Sequence, residues 1–264
     1  MLKRLICFWR FYEIANIRPI TEELGVLWQT DRFLFEHSLR VGLLSGVMGL
    51  ALKFDLVRLF DLVLGGLLLD IGMTTIPQDL LCKKEPLSAE EKALIRQHTT
   101  EGFRILSSIS GVSRTAAKCA LPHHERYRGE GYPFGLKADE LPVNAQIVGL
   151  ADVYDALLSP RHHRSAFTPS ETVEYLFAAG NYDFDITLVE LFLSNVYIFP
   201  VSTVVCLSSG QIGIVSEHRR SIYNRPIVKI IREADGTPVT MPYEVNLLYH
   251  PNLTVMDIYA EKNI

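Results

Sequence analysis

Apolar residues recur at helical spacing from Asp31 to about Leu52, where His37, Val41, Leu44, Met48 and Ala51 share one face. A second helix is predicted from about Leu56 into Gly65-Gly-Leu-Leu-Leu-Asp-Ile-Gly72, which leaves Asp70 at the end of a strongly apolar stretch. Ser88-Ala-Glu-Glu91 is a capping box that opens a helix to about Ser108, with Glu91, Leu94, His98, Gly102 and Ile105 on one face. A helix over roughly Val112 to Ala120 then delivers the chain to His123 and His124. Pro142 starts a helix that carries Ala145, Val148, Asp152 and Ala156 on one face, so Asp152 is an inward-looking carboxylate. Thr168-Pro-Ser-Glu171 is another capping box, with proline at the first helical position, for a helix ending near Gly180. Ile186 to Tyr197 forms one more.

The period changes after Pro200. Short β-rich runs at Thr203–Leu207, Ile212–Val215, Ile227–Ile231 and Val245–Leu248 are separated by Ser-Ser-Gly and Ala-Asp-Gly turn signals. They predict a small antiparallel β module, a partly open barrel, over 199–264. The fold class is therefore mainly α, a helical bundle with a C-terminal β module. Residues 1–30 are expected to form an N-terminal helical segment and 31–198 the main helical domain. No internal repeat stands out, which removes solenoid readings.

Composition narrows the class. The 264 residues are 48% hydrophobic and 21% charged, as in globular chains. A net charge of -4 offers no sequence-wide field for a nucleic-acid polymer, so a small anion would need a local basic pocket. Cys7, Cys82, Cys119 and Cys206 form no C-x-x-C pair, which argues against a disulfide framework and fits a reduced cytoplasm. The longest apolar run, Leu62 to Leu69, is shorter than the ~20 residues a membrane span requires. The basic, aromatic start Met1-Leu-Lys-Arg-Leu-Ile-Cys-Phe-Trp-Arg10 has no sustained apolar core and no cleavage site, so it is not read as a signal peptide. A helix packed on the core is the expectation there, with a membrane-surface helix as the alternative.

The chemistry concentrates in Leu121-Pro-His-His-Glu-Arg-Tyr-Arg-Gly-Glu-Gly-Tyr-Pro133. Two adjacent histidines followed by Glu125 look like metal-site material, and Gly129-Glu-Gly-Tyr-Pro133 requires a tight, shaped loop. A lone histidine on a core face is usually a hydrogen-bonded core residue, and Asp70 could equally cap the turn that follows it. Here, however, His37, Asp70, His98, His123, His124 and Asp152 come from at least five segments and all lie on core faces or beside the core. Imidazole and carboxylate without thiolate suit a catalytic transition-metal site of iron, manganese, nickel or zinc better than a structural zinc. Metals ~3.5–4 Å apart can activate water for attack on a phosphodiester.

The order and spacing of His37-Ser-Leu-Arg-Val41, Leu69-Asp-Ile-Gly72, Ile76-Pro77, His98, His123-His-Glu-Arg126, Gly129-x-Gly-Tyr-Pro133, Ala151-Asp-Val-Tyr-Asp-Ala156 and Arg161-x-x-Arg164 resemble the HD-GYP family. The likeness covers about residues 30 to 195, and the β tail resembles an extension found on some members. The resemblance implies an all-α HD-superfamily bundle and metal-dependent hydrolysis of cyclic di-GMP to a linear dinucleotide or GMP. It implies that Asp70 is the catalytic, metal-bridging carboxylate. His98, His123 and His124 would complete one metal site, and His37 and Asp152 would serve the other. Tyr132 would shape the substrate loop, while Arg161 and Arg164 would grip phosphate, a task suited to a guanidinium fork.

The chain also departs from the family pattern. Leu69 stands where the family's first "HD" histidine belongs, so the site of His37, Asp70 and Asp152 is one ligand short. Met73 replaces a usual lysine, and Phe33 stands where some members carry a glutamate for a third metal, so a trinuclear centre is not expected. His162 and His163 replace Pro-Tyr and read as exposed loop residues. The resulting expectation is one tightly held divalent metal, iron or manganese, with a second weak or absent. Two functions stay open: a weakened phosphodiesterase, or an inactive domain that binds cyclic di-GMP or a signalling protein such as a diguanylate cyclase.

Overall fold

Asp31 ends one helix and begins the next. Its N–H closes on the carbonyl of Leu27, and its side chain accepts from the N–H groups of Phe33 and Leu34. It thereby separates α1 (Arg18–Thr30) from α2 (Arg32–Ala51). The computed structural model describes Ile14 and residues 16–160, 165–196, 198–217 and 225–259. The expected helix at the extreme N-terminus lies outside the described residues.

Asp55 caps α3 (Leu56–Leu67) through the N–H of Arg58. α2 and α3 pack with their backbones close together: a side chain added at Gly42 would meet Val63 O and Leu67 N at 3.2 Å. A larger residue there would require the facing backbone to give by a few tenths of an ångström. α3 stops at Leu67, short of the predicted Gly72, and the chain continues as a 3-10 turn over Ile71–Thr75. Thr74 and Thr75 donate their hydroxyls to the carbonyls of Ile71 and Gly72, competing with α-helical continuation. A Cβ at Gly72 would lie 1.9 Å from the carbonyl oxygen of His98, so this turn is pressed against the start of a later helix. The early end of α3 therefore leaves Asp70 in a turn beside His98.

After α4 (Gln78–Leu81), the predicted single helix from Ser88 is two: α5 (Ala89–Arg96) and α6 (His98–Ser108). The Ser88–Glu91 capping box forms as expected. The break at Gln97, where the hydroxyls of Thr99 and Thr100 bond back to the carbonyls of Arg96 and Gln97, shifts the buried face. Leu94 is exposed, and His98, Thr99, Gly102 and Leu106 point inward. The predicted face holds for His98 and Gly102 and fails at Leu94, because it assumed one continuous helix.

α7 (Arg114–Ala120), capped by Ser113, and α8 (Val143–Leu158) complete the elements around the site. Ile20, Leu27, Leu59, Val63, Leu64, Leu67, Leu68, Leu106 and Ala117 are part of one buried apolar cluster. The Thr168–Glu171 box opens α9 (Pro169–Ala178), and α10 spans Ile186–Asn195. Both helices are a little shorter than expected.

The β-rich tail is a five-stranded antiparallel sheet in the order β4-β3-β2-β1-β5. Its strands are β1 (Val204–Leu207), β2 (Ile212–Glu217), β3 (Ile227–Arg232), β4 (Pro238–Asn246) and β5 (Val255–Ile258). β4 is much longer than predicted and β5 was not predicted. Both are edge strands, where Pro238 and Pro242 are tolerated and little side-chain alternation is needed.

The described residues divide into two compact units. One contains the residues up to Ser165 together with Ala179–Val189, and the other contains Ala166–Ala178 and the residues from Glu190 onward. α9 thus belongs with the sheet, where Ser170 Oγ donates to Val255 O at 3.0 Å.

Candidate metal centre

His37 of α2 faces α8, where Asp152 and Asp155 are three residues apart and lie on one side of the helix. Its Nε2 is 3.0 Å from Asp152 Oδ1, and its Nδ1 is 2.7 Å from Asp155 Oδ2. Carboxylates only accept, so both ring nitrogens act as donors. Burial opposes a charge on His37, but the hydrogen bonds and the fields of Asp152 and Asp70 outweigh it and raise its pKa to about 10. Asp155 is held in turn by Arg40, whose Nε and Nη2 donate to its two oxygens at 2.5 and 3.0 Å. Burial would lift the pKa of Asp155, yet His37 and Arg40 hold it below the usual carboxylate range.

Asp70 sits between two histidine groups. Its Oδ2 is 4.0 Å from His37 Nε2, while its Oδ1 is 3.5 Å from His98 Nε2 and 3.8 Å from His123 Nε2. His98 and His123 are fixed in the same manner, with Nδ1–H donating to the carbonyl of Ile95 at 2.7 Å and of Ala120 at 2.5 Å. Each therefore aims Nε2 at the site, and the two Nε2 atoms are 3.4 Å apart. Burial and the neighbouring His98 lower the pKa of His123 to about 4, so its Nε2 presents a lone pair. Burial and His123 also push His124 well below the usual range, and its Nδ1 lies 3.8 Å from Asp152 Oδ2.

Asp70, His98, His123 and His124 each offer one donor atom, all within 4.8 Å of one another. Ligands about 2.1 Å from a common cation stand about 3–3.5 Å apart, so the His98–His123–Asp70 spacings fit a divalent metal with little contraction. On the His37 side, the residue before Asp70 is Leu69, fully buried in the apolar core with no donor to offer. Phe33 stacks parallel to His37 with ring centroids 6.3 Å apart.

The Gly129–Pro133 loop folds back over the histidines. Tyr132 donates its N–H to His124 O at 3.2 Å, and its ring stacks on that of His124 at 4.7 Å. A Cβ on Gly131 would lie 2.4 Å from backbone atoms of His124, Glu125 and Arg126, so this close pass depends on glycine. Burial, with Asp70 and Asp152 behind it, raises the pKa of the Tyr132 phenol and keeps it protonated.

Glu125, read from the sequence as metal-site material, is spent elsewhere: its carboxylate accepts the N–H groups of Phe134 at 2.6 Å and Leu136 at 3.0 Å. It shapes the loop and is not among the gathered donors. The sequence reasoning missed this role and the Arg40–Asp155 support of His37. The signal for the latter was available, since Arg40 is three residues from His37 and Asp155 three from Asp152. Arg161 and Arg164, with His162 and His163 between them, lie outside the described residues.

With this geometry in hand, comparison with known proteins is decisive for the family. A family model described as an HD domain matches residues 26–188. The chain belongs to the HD-domain family. Its motifs place it with the HD-GYP members, and a KOW domain associated with HD domain matches 204–264. A cyclic di-GMP phosphodiesterase of Pseudomonas aeruginosa is 34% identical over 217 residues, covering 82% of this chain and 52% of the relative. A cyclic di-GMP phosphodiesterase of Thermotoga maritima is 38% identical over 164 residues, covering 62% of this chain and 45% of the relative. The chain spans about half the length of these curated relatives. An HDG"Y"P protein from Bdellovibrio bacteriovorus shares the fold of the HD domain, with a TM-score of 0.53 at 22% identity over 72% of this chain and 60% of that one. Among the described residues no helix is long and apolar enough to cross a membrane.

Proposed function

We propose that this HD domain is a cytoplasmic, metal-dependent phosphodiesterase that hydrolyses cyclic di-GMP, with an asymmetric centre. The observation that carries the reading is the convergence of Asp70, His98, His123 and His124 on one point. A divalent iron or manganese ion held there would supply Lewis acidity toward a phosphodiester and activate water. The chain's own residues do the rest. Hydrogen bonds to Ile95 O and Ala120 O hold the His98 and His123 rings, Asp70 reaches toward both halves of the centre, and the Tyr132 loop walls the site. Arg161 and Arg164 are assigned to the substrate phosphate on the strength of their motif.

A second reading is favoured by one specific observation, the buried Leu69 beside Asp70. With no donor from that position, the His37–Asp152 half holds its cation weakly, and the domain would then bind cyclic di-GMP, or a partner such as a diguanylate cyclase, without turning it over. The two readings separate in one experiment, elemental analysis with a cyclic di-GMP turnover assay on the wild type and Leu69→His. We expect one chelation-resistant metal and slow turnover in the wild type, and a second metal with faster turnover in the variant. A wild type holding two metals through mild chelation would overturn the asymmetric centre. A variant that gains the metal and stays inert would favour the binding role.

A further inference from the structure

His98 points inward just after the turn at Gln97, and Arg96, the residue before that turn, is exposed. The Arg96 guanidinium lies over the Tyr132 ring, 4.8 Å from its centroid. Tyr132 in turn stacks on His124 and meets His98 edge-on at 6.4 Å. A cation is thus attached to the metal donors through a single aromatic ring.

Arg126 and Arg96 both lower the pKa of the Tyr132 phenol against the larger effect of burial. Arg126 is already used. Its Nη1 donates to the carbonyls of His123 and Glu125 at 3.3 and 2.9 Å, and its guanidinium lies 5.3 Å from the centroid of the Phe184 ring. Arg96 makes no ion pair among the described residues, and its side chain is exposed. A guanidinium braced on an aromatic face keeps its N–H edge free for an oxyanion.

A cyclic dinucleotide carries two phosphodiesters, so when one lies at the metal donors the other needs a separate cation, and Arg96 over Tyr132 is an exposed one beside those donors. We propose that Arg96, braced by Tyr132, binds the phosphodiester that is not at the metal centre, and so selects a two-phosphate ring over a single phosphate. This inference rests on the proposed substrate, and it concerns a residue outside the Arg161–Arg164 motif.

Calorimetric titration of the manganese-loaded full chain tests it, with cyclic di-GMP as one probe and inorganic phosphate as the other. For Arg96→Ala we expect cyclic di-GMP binding weaker by at least tenfold, phosphate binding unchanged and metal content unchanged, with Arg96→Lys intermediate because it keeps charge without the planar stack. Cyclic di-GMP binding equal to wild type in Arg96→Ala would overturn the proposal. Equal weakening toward both probes would also overturn it, as would loss of metal, since these mean a general field or a structural role. A wild type that binds phosphate but not cyclic di-GMP would remove the substrate reading itself, and that failure is visible before any variant is compared.

Discussion

At the residue scale, His37 shows how one side chain is tuned by its neighbours. Metal-ligating histidines commonly donate their second nitrogen to a carboxylate, which fixes ring and tautomer. Asp155 is placed for that role and Arg40 neutralises it, so Asp155→Asn should weaken metal at the His37 half about 10–100-fold. The variant also leaves Arg40 without its carboxylate and should cost the chelated protein about 2–3 kcal/mol, below the range for a fully buried pair because Arg40 is partly exposed. The pH dependence has a definite sign. His37 is raised from 6.5 to about 10, so its contribution is complete below about pH 6.5 and is lost as pH rises through 10. Asp155 is lowered, so its contribution is present above its unfolded value near 4 and lost as pH falls. Chelated wild type should exceed Asp155→Asn most between about pH 4 and 6.5, with the gap narrowing toward pH 10 to the share that Arg40 and Asp155 keep, in thermal melts. A gap that widens with rising pH would contradict the ion-pair account. Of these residues, His37 and Asp152 were legible in the sequence because a motif and a helical period agreed. Arg40 and Asp155 stood at the right spacing, but a carboxylate and a guanidinium three residues from a ligand also occur on solvated faces.

At the element scale, the loop over His124 depends on backbone proximity more than on side-chain chemistry. Gly131→Ala would drive a methyl into the backbone of His124–Arg126, displacing Tyr132 from its stack on His124. We expect a loss of about 1–3 kcal/mol and at least a tenfold weaker grip on cyclic di-GMP, read by thermal melts and calorimetry. Unchanged binding would show that the loop does not form a wall of the site. The glycines and the proline made a tight loop readable from the sequence. What it folds back on was not readable, because contact with the backbone of Glu125 is a tertiary fact. The helix break at Gln97 was hidden as well: the local apolar spacing is compatible with one helix, and at the break the hydroxyls of Thr99 and Thr100 bond back to the carbonyls of Arg96 and Gln97. Most of strand β4 and all of β5 escaped for a different reason. Edge strands bury few side chains, so β4 and β5 leave only a faint alternation.

At the scale of the whole molecule, the gathered donors and their supports, from His37 to Asp155, lie in the first compact unit. The sequence placed the change of character near Pro200, and a chain cut after residue 198 was the natural helical fragment. The division of the structure makes that fragment less tidy, because Ala166–Ala178 and the residues from Glu190 group with the sheet. Thr172, Val173 and Leu176 of α9 are buried, and Ser170 bonds to β5. Removing 199–264 takes away β5 and uncovers apolar surface on α9, at about 25 cal/mol for each Å² returned to water. A 1–198 fragment should therefore retain its tightly held metal, since every donor of the Asp70–His98–His123–His124 group is present. It should also melt lower and self-associate, as exposed apolar patches do. Elemental analysis beside sedimentation and thermal melts checks both halves. A fragment that stays monomeric with wild-type stability would show that α9 does not need the sheet. Loss of metal from a fragment that remains helical would show that the β-rich tail supports the centre.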